Sequence, residues 1–499
     1  MKGILIEMND NFVNAVNKEI EDEQKFTLTE NYGKQFATTN SSLLDLFATI
    51  GATREKSEDD IISAFSKAFD EDPLLATRMA FYARDIRDGG LGERRVFRII
   101  LKWLAQNHPD IVEKNLWAIP EFGRWDDMFV LRGTPLENSM LDFIAKQLSQ
   151  DIINESKGGD NISLLGKWMP SVNTSSKETV ELAKWLIKKF HMKEKNYRKM
   201  LARLRAKIDI LEAKMSAKKW QEINYENVPA LAMNRHIKAF IRNDSERFQE
   251  YIDNVKNGSA SIKASTLYPY DILRQGNWVI GRGMTGWNQA LEEQWKALPN
   301  YVEGENNILV MADTSGSMVG LPMQISVGLA VYFAERNHGA FKDLYMTFSE
   351  RPTFVKIKGD TLKEHLSNVP NIVANTDIAK AFDKILEVAV TNNLKQEDLP
   401  THLVIITDME FDQCGDNDRF YKYASKKFAN AGYQLPLVVF WNVSQRTWGF
   451  QTRANKEGVI MISGASAGSF KQLIQNISKT PLDFMYEVLN KEPYNKIVI

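Results

Sequence analysis

The chain has 499 residues, 43% hydrophobic and 25% charged, which lifts it well above the size at which core burial limits folding and predicts a soluble globular protein of several domains. Lys plus Arg (63) nearly balances Asp plus Glu (64), so any electrostatic partner must be met by a local patch. The single cysteine, Cys414, excludes an intramolecular disulfide framework and any multi-cysteine zinc site and fits a reducing compartment. The opening MKGILIEMNDNF has too short an apolar run for a signal peptide, and no window reaches the roughly 18 apolar residues of a membrane span. A cytoplasmic protein with no membrane partner is expected.

Residues 1–40 read as a polar N-terminal arm of the first domain, ending in TTNSSLLDLF, a loop followed by a capped helix. From 41 to 302 apolar residues recur at helical spacing, as in Leu74, Leu75, Met79, Ala80, Tyr82 and Ala83. The segments DPLLATRMAFYARDIRD, GERRVFRIILKWLAQN and ENSMLDFIAKQLSQDI are joined by short connections. They predict an all-α domain of stacked, HEAT-like helix pairs, without a strict sequence period. The carboxylates of SEDDIISAFSKAFDEDP sit near helix ends and read as capping charge, since no calcium-loop pattern follows. Glycine-rich residues 88–92 lie between helices with no preceding strand, which favours a helix–helix turn over a phosphate cradle. Phe122, Trp125, Trp168 and Trp185 read as core, and Asp126 and Asp127 as caps of the next helix. Between Lys184 and Lys219 thirteen Lys and Arg face three acids. Of these, Lys195, Arg198, Lys199, Arg203, Arg205 and Lys207, with Tyr197 and Trp220 nearby, are candidates to contact phosphates and stack on bases; the competing reading is a solvated face or one packed beside acidic neighbours.

Near Asn306 the pattern changes to short β-branched runs alternating with helices, which predicts an α/β domain over 303–499 with a mainly parallel, doubly wound sheet. Strands are expected at 307–312, near 343–348 and 353–357, and at 402–407, 435–441 and 457–462; helices are expected at 321–337, 377–390, 418–431 and 468–478. Ligands of such sheets bind beyond the C-terminal strand ends. Three such ends carry oxygen donors: Asp313-Thr-Ser315-Gly-Ser317, Asn375-Thr376-Asp377 and Thr407-Asp408-Met409. Asp313, Ser315, Ser317, Thr376 and Asp408 form an all-oxygen set suited to Mg2+ or Mn2+. Gly316 is expected to permit a sharp turn, and Asp313, placed in a loop outside the core, to tolerate Asp313→Ala without unfolding.

Catalytic motifs fare worse. Gly464-Ala-Ser466-Ala-Gly468 matches a nucleophile elbow, but all six histidines precede Ser466 and the rest of a triad in that order is missing. There is no P-loop, no HExxH and no paired His/Cys ligand set. A non-enzyme is expected.

The DxSxS after a hydrophobic strand, a Thr about 60 residues on before a helix and an Asp closing another strand about 30 further on resemble the metal-ion-dependent adhesion site of von Willebrand factor A domains. The resemblance implies that Ser315, Ser317 and either Thr376 or Asp408 contact the metal, with Asp313 and Asp408 often acting through water. An open coordination position is then left for a partner's acid. The usual glycine-rich stretch before the Thr is Ala374-Asn375 here. With RMAFYARDIRDGGLGERRVFR in the helical part, the layout resembles the TROVE-plus-A-domain architecture of Ro-type ribonucleoproteins. It is still more similar to an uncharacterised family sharing that layout, through FGRWDDMF, LGKWMPS, YRKMLARLRAKIDILEAKM, YENVPALAMNRHIKAF and ITDMEFD. These stretches span residues 74–412. The Ro-type resemblance implies a ring of helical repeats holding structured or misfolded RNA, closed by the A domain. The leading expectation is therefore an RNA-binding ribonucleoprotein scaffold with a divalent-metal A domain. The alternative is a metal-dependent protein interaction module with no nucleic acid, in which the partner supplies an Asp or Glu.

Overall fold

A computed structural model describes residues 26–87, 89–302, 307–348, 351–371, 377–412, 420–472 and 480–499. Compactness divides the chain into two interleaved units. One gathers Met1–Ala76, Tyr268–Asn288 and Leu298–Lys491; the other gathers Thr77–Leu267, Gln289–Ala297 and Glu492–Ile499. The change of local pattern near 303 is real, but compact packing does not follow that linear boundary.

All the described strands lie in the first unit. Two hairpins, β1 (Phe26–Leu28) with β2 (Lys34–Phe36) and β3 (Trp278–Val279) with β4 (Gly283–Met284), are antiparallel. The main sheet comprises β5 (Ile308–Asp313), β6 (Leu344–Phe348), β7 (Thr353–Lys356), β8 (His402–Thr407), β9 (Leu437–Asn442) and β10 (Val459–Ser463), in the order β10-β9-β8-β5-β6-β7. Every pair is parallel except the edge pair β6–β7, so the sheet is mixed. Strands β5, β8 and β9 are buried at every position, as expected where both faces of a parallel strand are covered. The chain runs from β5 outward to β6 and β7, then returns to the other side of β5 for β8. The order therefore reverses between β5 and β8.

The helix Leu321–Arg336 is apolar nearly all round and almost wholly buried. It packs on the sheet and on the helix Pro269–Gln275, where a Cβ at Gly328 would meet Pro269 and Leu273 at ordinary contact distance. The expected helix at 377–390 is Ile378–Thr391, capped by the Asp377 carboxylate on the Lys380 N–H. Within 468–478 the described part is a 3-10 turn, Ala467–Gln472, and residues 473–479 lie outside the described residues.

Residues 26–52, expected to belong with the helical domain, pack within the sheet unit instead. Isolated bridges join Tyr32 to Asp412 and Phe36 to Phe450. The Gly51 N–H donates to Ser463 Oγ at 3.0 Å, and a Cβ at Gly51 would lie 2.8 Å from the Gly464 backbone. These ties are long-range and leave no local sequence signal.

The second unit is helical. The helix Glu194–Ile208 buries Tyr197, Leu201 and Leu204, a single stripe at helical spacing, and the Tyr197 hydroxyl donates to Pro170 O at 2.8 Å. Glu58–Glu71, which belongs to the first unit, shows the expected capping chemistry: Ser57 accepts from the Asp60 N–H, and three acids occupy the first turn. Residues 89–92 form the expected turn, since Leu91, Gly92 and Glu93 give their N–H groups to the carbonyls of Tyr82, Asp85 and Ala83; Asp88 lies outside the described residues. Phe122 is core, whereas Trp125, Trp168 and Trp185 are half-buried. The Arg124 and Arg132 guanidiniums cover Trp168 and Trp185 at 4.0 and 4.9 Å from the ring centres. Asp127 accepts from the Arg124 N–H, as a cap does, and is also a buried ion-pair partner of Arg84 (2.8 Å) and of Arg98 (2.6 Å).

Replacing Asp127 by Ala leaves Arg84 buried without its counter-charge, and the expected loss is about 3–5 kcal/mol. Urea denaturation followed by circular dichroism measures it, and a shift within about 0.5 kcal/mol, as for an ordinary surface site, refutes the role assigned to the pair.

Candidate functional site

The β5–β8 register, running from Ile308 opposite His402 to Ala312 opposite Ile406, carries Asp313 alongside Thr407 at the reversal of strand order. The Thr407 hydroxyl donates to Asp313 Oδ2 at 2.6 Å, and the Ser315 N–H donates to Oδ1 at 2.8 Å. Asp313 is thus the last residue of β5 and fully buried, which corrects its expected place in a loop outside the core. Removing its carboxylate strands two buried donors, so Asp313→Ala costs stability as well as any ligand. The chain then turns through Ser315 into the 3-10 segment Gly316–Met318, bringing Ser315 Oγ within 3.1 Å of Ser317 Oγ. Gly316 has no positive φ, and no atom crowds the space a Cβ would fill, so the turn does not require glycine.

Asp408 follows β8 and is buried. Its Oδ1 accepts from the Glu410 N–H at 3.3 Å, and the Ser317 hydroxyl bonds to the carboxylate. Its Oδ2 is buried without a hydrogen bond and lies 3.2 Å from Arg446 Nε in an ion pair. Burial, followed by the like charge of Asp408, pushes the Asp313 carboxyl up to about 7, against the pull of the Thr407 and Ser315 bonds. Asp408 is likewise raised, chiefly by burial, while Ser317, the Glu410 N–H and Arg446 draw it back.

The structure brings four of the five expected ligands, Asp313, Ser315, Ser317 and Asp408, to one place. Thr376 lies outside the described residues. The set fits a hard divalent cation: two buried carboxylates whose pKa values are both raised, two hydroxyls and one carboxylate oxygen without a hydrogen bond. Among the described residues no three His, Cys, Asp or Glu side chains gather as a metal cluster, so the two serines and water would have to complete the shell.

Three residues near the site escaped the sequence reading. Glu410, buried, accepts from the Glu30 N–H at 2.6 Å and from the N–H and hydroxyl of Thr447 at 2.9 and 2.7 Å. Arg446 donates to Ser317 O at 2.8 Å and to Glu30 Oε2 at 3.1 Å. No spacing rule links positions 30, 410 and 446.

The six expected cationic contacts divide evenly. Arg203 pairs with Glu155, and Lys207 with Asp160 at 2.8 Å. Arg205 is structural, giving its guanidinium to Gly166 O, Ser171 Oγ and Met169 O at 2.9, 2.7 and 2.6 Å. Lys195, Arg198 and Lys199 are exposed, make no ion pair among the described residues, and line a cleft of about 580 Å³ with Ser171 and Asn173. Trp220 packs edge-on to Phe240 at 6.5 Å.

Residues 307–492 match the family described as "Domain of unknown function (DUF7788)", and residues 29–130 and 187–307 match "Domain of unknown function (DUF2828)". The chain is also similar to "Uncharacterized protein L728" of Acanthamoeba polyphaga mimivirus. Identity is 28%, and the alignment takes in 94% of this chain and 87% of the viral protein. The matched segments include the β5 and β8 ends and the helix Glu194–Ile208. No helix among the described residues is long and apolar enough to cross a membrane.

With its folded pKa raised from 3.8 to about 7, Asp313 keeps a proton that the unfolded chain gives up. Its stabilising contribution is therefore present at low pH and is lost as pH rises from near 4 through 7 in the metal-free protein. If Mn2+ binds through this carboxylate it must displace the same proton, so its affinity is then expected to rise with pH up to about 7 and level, with protons released on binding. Calorimetric titrations in buffers of differing ionisation heat test this, and affinity independent of pH over that window contradicts it.

Proposed function

We propose that the protein is a non-catalytic binding scaffold whose sheet unit is a von Willebrand factor A-type domain holding Mg2+ or Mn2+ through Asp313, Ser315, Ser317 and Asp408, with Thr376 as the fifth ligand. The observation that carries this reading is the meeting of two buried carboxylates and two serine hydroxyls at the β5–β8 reversal of strand order. A bound cation would supply Lewis acidity suited to an acidic group on a partner. The chain's own residues do the rest. Thr407 and Ser315 orient Asp313, Glu410 fixes the loop after β8, and burial keeps competing water from both carboxylates.

A specific observation favours RNA as the partner of the helical unit: three cations beside one another on one cleft, with no internal counter-charge among the described residues. Together the two features support reading the protein as a ribonucleoprotein scaffold of the Ro type, and a cytoplasmic location accords with the single cysteine. If RNA is absent, the metal position serves a protein carboxylate.

Calorimetry with Mg2+ and Mn2+ tests the metal half: Asp408→Asn should weaken binding by at least about tenfold with the fold intact, and equal heats in parent and variant reject the site. For the RNA half, Lys195, Arg198 and Lys199 should all be changed to Glu, leaving structural Arg205 in place. Affinity for copurifying RNA should fall, and its logarithmic dependence on salt should become shallower by about 3. RNA at background in both proteins removes that half and leaves a metal-dependent protein partner.

A further inference from the structure

Arg446 stands beside the candidate metal position with its backbone held from both sides. Its carbonyl accepts from Lys56 Nζ at 2.5 Å, the preceding Gln445 N–H donates to Ala52 O at 3.0 Å, and the following Thr447 is tied to Glu410. The side chain is 37% exposed and spans three groups: Asp408 Oδ2, Ser317 O and Glu30 Oε2. Among the described residues this is the ion pair that Asp408 makes, and Asp313 makes none.

We infer that Arg446 is an internal cation that occupies Oδ2 of Asp408 in the metal-free protein and yields it when a divalent ion binds. This inference rests on the metal reading above.

The physical case is one of shared charge. Asp408 Oδ2 is buried and has no hydrogen bond, so the guanidinium 3.2 Å away is what offsets its charge. A divalent ion drawing on the same carboxylate brings two more positive charges to a poorly solvated spot, and the two cations cannot both keep it. Because the backbone is fixed, the side chain moves while the loop stays. Glu30 and Ser317 O remain as anchors, so the released guanidinium stays at the rim of the site, where it offers a second cationic contact to an incoming carboxylate or phosphate oxygen. The contact with Glu30 also links the metal position to the segment between β1 and β2, which no spacing in the sequence connects to it.

Two roles for Arg446 predict opposite signs. An internal competitor lowers metal affinity; a residue that merely shapes the Ser317 loop raises it. In Mn2+ titrations of the full chain, Arg446→Gln should bind about tenfold more tightly, while Arg446→Lys, which keeps the charge, should stay near the parent. Unchanged or weaker binding by Arg446→Gln overturns the inference. In case that variant fails to fold, the parent carries a second readout: modification of Arg446 by an arginine-directed dicarbonyl reagent, read by peptide mass spectrometry, should increase when Mn2+ is added. Unchanged or reduced modification on a metal-bound parent overturns the inference. If neither the parent nor Arg446→Gln binds Mn2+, the metal reading itself fails, an outcome distinct from failure of the competitor role.

Discussion

The pairing of β5 with β8 is the constraint on which the sheet unit's chemistry depends. The two strands are the fifth and eighth along the chain, separated by a long excursion through β6 and β7, yet they are neighbours in the sheet, and the order reverses between them. Their register sets Asp313 against Thr407 and leaves Asp408 one residue further on. Burying two carboxylates so close together is expensive unless each is hydrogen-bonded or offset by positive charge. Thr407, the Ser315 N–H, Ser317, the Glu410 N–H and Arg446 are spent on that task, and one oxygen of Asp408 is still left without a hydrogen bond. A sheet end built this way has a standing demand for positive charge.

The helical unit deals with charge differently. Arg84, Arg98 and Arg124 converge on Asp126 and Asp127, and Arg205 ties the helix Glu194–Ile208 to the carbonyls of Gly166 and Met169 and the hydroxyl of Ser171. Planar guanidiniums with several donors in a fixed fork suit this kind of internal bracing better than lysine does. A basic run in the sequence therefore mixes two populations. Some cations are glue, and only those whose helical position points away from acidic neighbours stay unpaired among the described residues.

The interleaving of the units has a related cause. Residues 26–52 carry short strands and a short helix whose apolar side chains are too few to make a core of their own. They find burial against the ends of β8, β9 and β10, with Phe36 pairing to Phe450 and Gly51 lying on Gly464. The hydrogen bonds of Glu30 and Asn31 to Glu410 follow from that placement, so the loop after β8 is held partly by the opposite end of the chain.

Local chemistry was enough to reveal the change from helical to α/β pattern, the positions of the six sheet strands, the oxygen-rich strand ends at Asp313 and Asp408, and the glycine turn before Arg94, because each depends on periodicity or on residues within a few positions of one another. Tertiary structure alone decided that Asp313 is buried in the sheet, since burial depends on which strands become neighbours. It also decided that Arg205 braces a turn while Arg198 stays exposed, that Asp127 serves as a buried counter-ion beyond its role as a cap, and that Glu30 and Arg446 reach the candidate site. These partners lie from tens to hundreds of residues apart in the chain, and a side chain's charge does not reveal its partner until folding has brought the two together.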